Sequence, residues 1–246
     1  MKKHIFTLPM LLVALAATPS HAIDLNGMLS AGMKLASATT LSDDDAKSLS
    51  LASIKQEDAK SRIAPANNKY SKRLAKLTRD MQNEDGLKLN YKVYLTKDVN
   101  AFCTADGSVR VYSGLMDMMN DDELRFVLGH EIGHAKLGHV RKALQVAYAT
   151  SAARDAAAAT DGTAAQLSQS ALGDLAEAVV NAQFSQKEET DADAYGVGFL
   201  KRHQYDLHAA VTSMSKIQTI SDDHSWLADH PASSDRVANL KKLVGE

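Results

Sequence analysis

Two histidines four residues apart, His130 and His134, flank Glu131 in the run His130-Glu131-Ile132-Gly133-His134. On a helix, positions i and i+4 share one face a turn apart, so both imidazoles can reach a single zinc ion. Glu131, next to the first histidine, is placed to take a proton from water activated by the metal and to pass it to a leaving amine. The chemistry implied is metal-assisted hydrolysis, which needs a helical context and a third ligand. His139 is disfavoured as that ligand. It lies five residues after His134, about 140° around a continuous helix, and the Gly-then-His spacing of longer zinc motifs is not met. It is expected on the surface.

The second candidate is Glu189, in Glu189-Thr190-Asp191-Ala192-Asp193. Glu189 and Asp193 again stand at i and i+4. A carboxylate ligand with a second carboxylate behind it complements a two-histidine helix, since Asp193 can accept a hydrogen bond from the far nitrogen of a ligand imidazole. Alone, the segment reads as an acidic solvated helix face. Beside the histidine pair, the ligand reading is preferred, giving one Zn²⁺ per chain on His130, His134 and Glu189.

These residues need two helices. Asn120 with Glu123 forms a capping box that starts the first, and Asp121 and Asp122 suit the positive end of its dipole. Leu124, Val127, Leu128, Ile132 and Ala135 give it an apolar surface, and it is expected to run to about residue 142. Ser185 with Glu188 caps the second, expected over residues 186–203. Upstream, a helix is expected over residues 66–83. Alternation at 91–95, a short run at 101–103, an Asp106-Gly107 turn and alternation at 109–112 point to a small sheet of about three strands. Residues 143–182, rich in Ala, Ser, Gln and Thr, read as two helices and a loop placed to lie over the cleft. Further helices are expected over 207–220 and from Pro231 to about 243.

The chain has 246 residues, 45% hydrophobic and 24% charged, enough for one sizeable domain. Lys2 and Lys3, an apolar run from Ile5 to Ala17 and Ser20-His21-Ala22 form an export-signal pattern with cleavage expected after Ala22. The run is too short to span a bilayer. Without residues 1–22 the charge is mildly acidic, and no basic patch suggests nucleic-acid binding. Cys103 is the only cysteine, so no internal disulfide can form, and it reads as a small buried hydrophobe. The expected organisation is a signal peptide (1–22), an N-terminal helical segment (23–62) and a catalytic domain (63–246).

With its HExxH helix and downstream Glu189–Asp193 segment, the chain resembles the M48 peptidases. Asn100-Ala101-Phe102, Gly114-Leu115 and a His230-Pro231…Arg236 element, in that order, extend the resemblance over about residues 65–243. Asp191 stands where glutamate is commoner, between the ligand and the second carboxylate. The resemblance implies an α+β, mostly helical, gluzincin-like zincin with a small β-sheet whose edge strand borders the active site. It implies that this strand is Val109, Arg110, Val111 and Tyr112, pairing with an extended substrate. It implies that Arg236 supports the oxyanion, and that His230 can fill the open metal position and hold the enzyme latent. The implied function is internal peptide-bond hydrolysis in unfolded or damaged cell-envelope proteins of the periplasm, with outer-membrane proteins as partners and without membrane spans. The rival expectation is a latent protease acting mainly as a chaperone or binding module for outer-membrane proteins.

Overall fold

The computed structural model describes residues 41–160, 178, 182–220, 226, 230 and 234–246. The signal pattern, the first part of the N-terminal segment, residues 161–177 and Pro231 lie outside the described residues. The elements are α1 (Asp43–Lys60), α2 (Lys69–Leu77), β1 (Asn83–Glu84), β2 (Leu87–Lys88), β3 (Asn90–Tyr94), β4 (Ala101–Cys103) and β5 (Ser108–Tyr112). They continue with α3 (Ser113–Met118), α4 (Asp121–Lys136), α5 (His139–Thr160), α6 (Gln186–Arg202), α7 (His208–Ile217) and α8 (Ser234–Val244). The fold is mostly helical α+β.

The three-stranded sheet has the order β3-β5-β4, with β3 parallel and β4 antiparallel to β5. Period-two alternation divides its faces. Val93, Ala101, Cys103, Val109 and Val111 enter the main core, while Tyr94 and Phe102 pack with Ile54 of α1 on the other face. Arg110 reaches that second face and binds Asp58 of α1 through two hydrogen bonds of 2.8 and 2.9 Å. Lys92 and Tyr94 also donate to Asp58.

β5 is thus paired on both edges, and its residues Val109, Arg110, Val111 and Tyr112 do not form the edge strand that was expected. Alternation identifies a strand but says nothing of its neighbours. Here the parallel partner β3 covers the second edge of β5. The outer strands are β3 and β4, and β4 is the one that packs on α4. Asn100 and Thr104 turn their backbone groups toward β5, through Tyr112 N–H to Asn100 O and Thr104 N–H to Ser108 O, both 3.0 Å. Val99, Ala101 and Cys103 therefore turn theirs to the outer edge.

α4 begins as expected. Asn120 Oδ1 accepts from the backbone of Asp122 and Glu123, and Glu123 accepts from the backbone of Asn120. Phe126 to His134 is buried without a break, as suits a helix covered on all sides. α4 ends at Lys136 rather than near residue 142, because Gly138 takes a left-handed φ of +78° and α5 starts at His139. α2 is also shorter than expected. A hairpin, β1-β2, follows it through Asp85 and Gly86, both at positive φ. Among the described residues, no helix is long and apolar enough to cross a membrane.

Candidate metal centre

The close approach of α4 and α6 builds the site. A Cβ on Gly129 would stand 2.8 Å from the Phe199 ring, and one on Gly196 would stand 3.2 Å from the backbone nitrogen of His130. Small residues at this crossing let the two backbones come near enough for short carboxylates on α6 to meet imidazoles on α4. Ser185 caps α6, and Glu189 and Asp193 follow on its inward face, both buried.

Atoms of His130, His134, Glu189 and His230 converge within 4.8 Å of one another. His130 Nε2 lies 3.0 Å from His134 Nε2 and 3.4 Å from His230 Nδ1. Glu189 oxygens lie 3.6 Å from His130 Nε2, 3.4 Å from His134 Nε2 and 2.9 Å from His230 Nδ1. Four ligands about 2.0–2.1 Å from a tetrahedral zinc stand roughly 3.3 Å apart, so the spacing fits that ion. The charge state fits too. Burial pushes the pKa of His130 down to about 3, so its imidazole is neutral. Burial works against ionising Glu189, yet the imidazoles of His230, His134 and His130 hold its carboxyl below the usual carboxylate range. Glu189 Oε2 is buried without an aligned hydrogen-bond donor. A neutral His130 beside an ionised carboxylate suits a divalent cation.

Behind the cluster, His130 Nδ1 lies 3.0 Å from Asp193 Oδ1, which leaves Nε2 as its metal-facing atom. Arg236 on α8 donates to both oxygens of Asp193, at 2.9 and 2.7 Å, and its third nitrogen lies 2.6 Å from Glu189 Oε2. The guanidinium is buried and turned to two carboxylates, so it ties α8 to the ligand helix.

His139 is a second correction. It is buried, and its Nδ1 lies 3.0 Å from His134 Nδ1. The 140° argument assumed a continuous helix; the break at Gly138 returns the side chain to His134 from the start of α5. Phe184, just before α6, stacks on His134 with centroids 3.8 Å apart. Nothing in the spacing marked Phe184.

Glu131 projects from the same turn as His130. Its Oε1 accepts from Trp226 Nε1 at 2.8 Å and lies 3.5 Å from His230 Nε2. Trp226 stacks on His230, with centroids 4.2 Å apart and planes at 11°. The structure therefore brings together His130, Glu131, His134, Glu189, Asp193, His230 and Arg236, with His139 and Trp226 against them. Val109, Arg110, Val111 and Tyr112 stay in the middle of the sheet. Cys103 is buried, and burial raises its thiol pKa further, as suits an inert packing residue.

The sequence has relatives. The model of peptidase family M48 matches residues 67–244. The chain is 45% identical over 232 residues to the metalloprotease LoiP of Escherichia coli, covering 93% of this chain and 92% of that one. It is 42% identical over 228 residues to the metalloprotease YcaL of the same organism, covering 92% and 90%. The human mitochondrial metalloendopeptidase OMA1 is 27% identical over 159 residues, which are 59% of this chain and 30% of that one. A family model spanning most of the sequence, and metalloproteases matching it nearly end to end, make this chain a metalloprotease of the M48 family.

Proposed function

We propose that the protein is a zinc metalloendopeptidase of the bacterial envelope, exported through residues 1–22, whose domain over 63–246 cleaves unfolded or damaged polypeptides. The observation that carries this reading is the 2.9–3.6 Å spacing of the His130, His134, Glu189 and His230 atoms around one point, with Glu131 beside it. A zinc ion there would acidify water and polarise the scissile carbonyl.

The chain's own residues do the rest. Glu131 receives the proton of the attacking water on a carboxylate oxygen and returns it to the leaving amine. Asp193 beside His130 Nδ1 and His139 beside His134 Nδ1 would fix the two tautomers and leave each Nε2 free to hold a metal. An extended substrate lies along the outer edge of β4, where Val99, Ala101 and Cys103 turn their backbone groups. Backbone pairing of this kind tolerates many sequences, which supports a general role on unfolded chains and quality control in the envelope. The export pattern supports the periplasm as its compartment. Metal analysis tests the ligand set: the wild type should hold about one zinc per chain and Glu189→Ala far less. Equal zinc in the two would remove Glu189 from the set.

His230 favours a second reading, latency at rest. Its Nδ1 lies 2.9 Å from Glu189 Oε1 within the ligand cluster, which supports its acting as a fourth ligand in place of substrate. On this reading His230→Ala raises hydrolysis of casein at unchanged zinc. A fall in hydrolysis at full zinc would argue that His230 serves catalysis directly. A chaperone-like role on outer-membrane proteins belongs to the latent form.

A further inference from the structure

The outer edge of β3 opens onto a groove that the metal centre does not use. β3 lies across the sheet from β4, the strand that packs on α4. Asn90 donates its backbone N–H to Gly107 O beside β5, so Tyr91 and Val93 turn their backbone groups to the outer side. Residues 62–64 cover one end of that side, through Ala64 N–H to Val93 O at 2.9 Å and Leu95 N–H to Arg62 O at 2.8 Å. The chain then turns away at Pro65, whose carbonyl accepts from Asn68 N–H. The N–H and C=O of Tyr91 are left without a backbone partner among the described residues.

Beside this open stretch, α2 and β3 enclose a groove of about 810 Å³. Lys72, Lys76 and Arg79 follow one another at helical spacing along its α2 wall. All three are exposed, and their side chains have no ion pair among the described residues. Lys92, on the β3 wall, is already bound to Asp58 at 2.6 Å. Among the described residues, no carboxylate lines the groove. The whole chain carries 30 acidic and 28 basic residues, so three uncommitted cations in one groove set it apart from the average surface.

We propose that this groove is a second docking site for polypeptide, which takes an extended acidic segment as an added strand on β3. The segment's backbone pairs with the N–H and C=O of Tyr91, and its carboxylates on one face meet Lys72, Lys76 and Arg79. One helical turn rises about 5.4 Å and two strand residues about 6.6–6.8 Å, a mismatch that the long Lys and Arg stems absorb. A phospholipid headgroup offers the charge but not the alternating donors and acceptors that an open strand edge reads, so the edge favours a peptide. The site rests on the proposed action on unfolded chains and deepens it. It names a substrate class, chains with an acidic segment away from the bond to be cut.

The test uses the zinc-loaded full chain carrying Glu131→Gln, which leaves the probe uncut. A fluorescein-labelled peptide of alternating Glu and Thr should bind, read by anisotropy, and its Lys-Thr counterpart should not. Replacing Lys72, Lys76 and Arg79 together by Gln should weaken binding about tenfold at an unchanged melting temperature. N-methylation of alternate peptide amides should abolish binding in one register and spare it in the other. On the wild-type background, the triple substitution should raise KM for an acidic-tailed substrate and leave hydrolysis of a short uncharged peptide unchanged. Three results overturn the proposal: equal binding of the acidic and basic peptides, a triple variant that binds as tightly as its parent, or binding indifferent to the methylated register. Phosphatidylglycerol vesicles that bind through these three cations while the peptide does not would make the groove a lipid site and overturn it too. If the triple variant does not fold, the two peptides and the two methylated registers decide. A wild type that cleaves nothing would defeat the protease reading and leave the binding result standing.

Discussion

Replacing His139 tests the layer behind the proposed metal ligands. For His134 to present Nε2 to a metal, its proton must sit on Nδ1, which faces His139 Nδ1 at 3.0 Å. Burial, then the neighbouring His134, lower the pKa of His139, so its imidazole is neutral and can accept that proton's hydrogen bond. His139→Phe removes the acceptor and leaves a donor at a nearly inaccessible position. An unsatisfied buried donor costs about 1–3 kcal/mol. At about 1.4 kcal/mol per factor of ten, that is roughly a 10–100-fold loss of zinc affinity, the range found for partners behind metal-bound histidines. The assay is competition with a chelator of known affinity at pH 7.5. His139→Asn places an amide oxygen near the position of Nδ1 and should recover most of the loss. Wild-type affinity in His139→Phe would refute the reasoning. So would an Asn variant as weak as Phe, since packing rather than the hydrogen bond would then be what matters.

Other perturbations reach different parts of the structure. Gly129→Ala puts a methyl 2.8 Å from the Phe199 ring at the α4–α6 crossing and should lower stability by about 1–3 kcal/mol, read as a drop in melting temperature. An unchanged melting temperature would mean that the helices are not in close contact there. Asp58 lies partly buried, which opposes its charge, but Arg110, Lys92 and Tyr94 bring its pKa down from 3.8 to about 2. Because the folded-state value is the lower one, its stabilisation is complete above pH 4 and is lost as pH falls through about 2. That contribution amounts to about 2 kcal/mol. Asp58→Asn should therefore destabilise the protein at pH 7 and flatten the acid limb of its stability curve, measured by urea melts between pH 2 and 7. Removing zinc by dialysis against a chelator should lower the melting temperature, and added zinc should restore it in a concentration-dependent way.

Much of the site was legible because its signals are local. His130, Glu131 and His134 follow from helical spacing, and the two capping boxes at Asn120 and Ser185 mark where the ligand helices start. Glu189 and Asp193 needed the histidine pair as context, since an acidic helix face is otherwise ordinary. What escaped depended on tertiary geometry. The order β3-β5-β4 cannot be read from alternation, so the strand expected at the edge proves to be the central one. A single left-handed glycine, Gly138, changed where His139 points. The Asp85-Gly86 hairpin carried a recognisable turn signal that its very short strands, two residues each, left isolated. Arg236 lies 43 residues from Asp193 and is tied to it by a two-pronged hydrogen bond that sequence spacing does not encode.

The central claim is that this metalloprotease hydrolyses peptide bonds at a zinc held by His130, His134 and Glu189, with Glu131 moving the proton. The most direct measurement compares wild type with Glu131→Gln on casein, at measured zinc content. The substitution keeps the size of the side chain, removes its capacity to take a proton, and does not touch the ligand set. The account predicts about one zinc in each protein and cleavage by wild type alone. Cleavage by Glu131→Gln at the wild-type rate, with zinc bound, would contradict it.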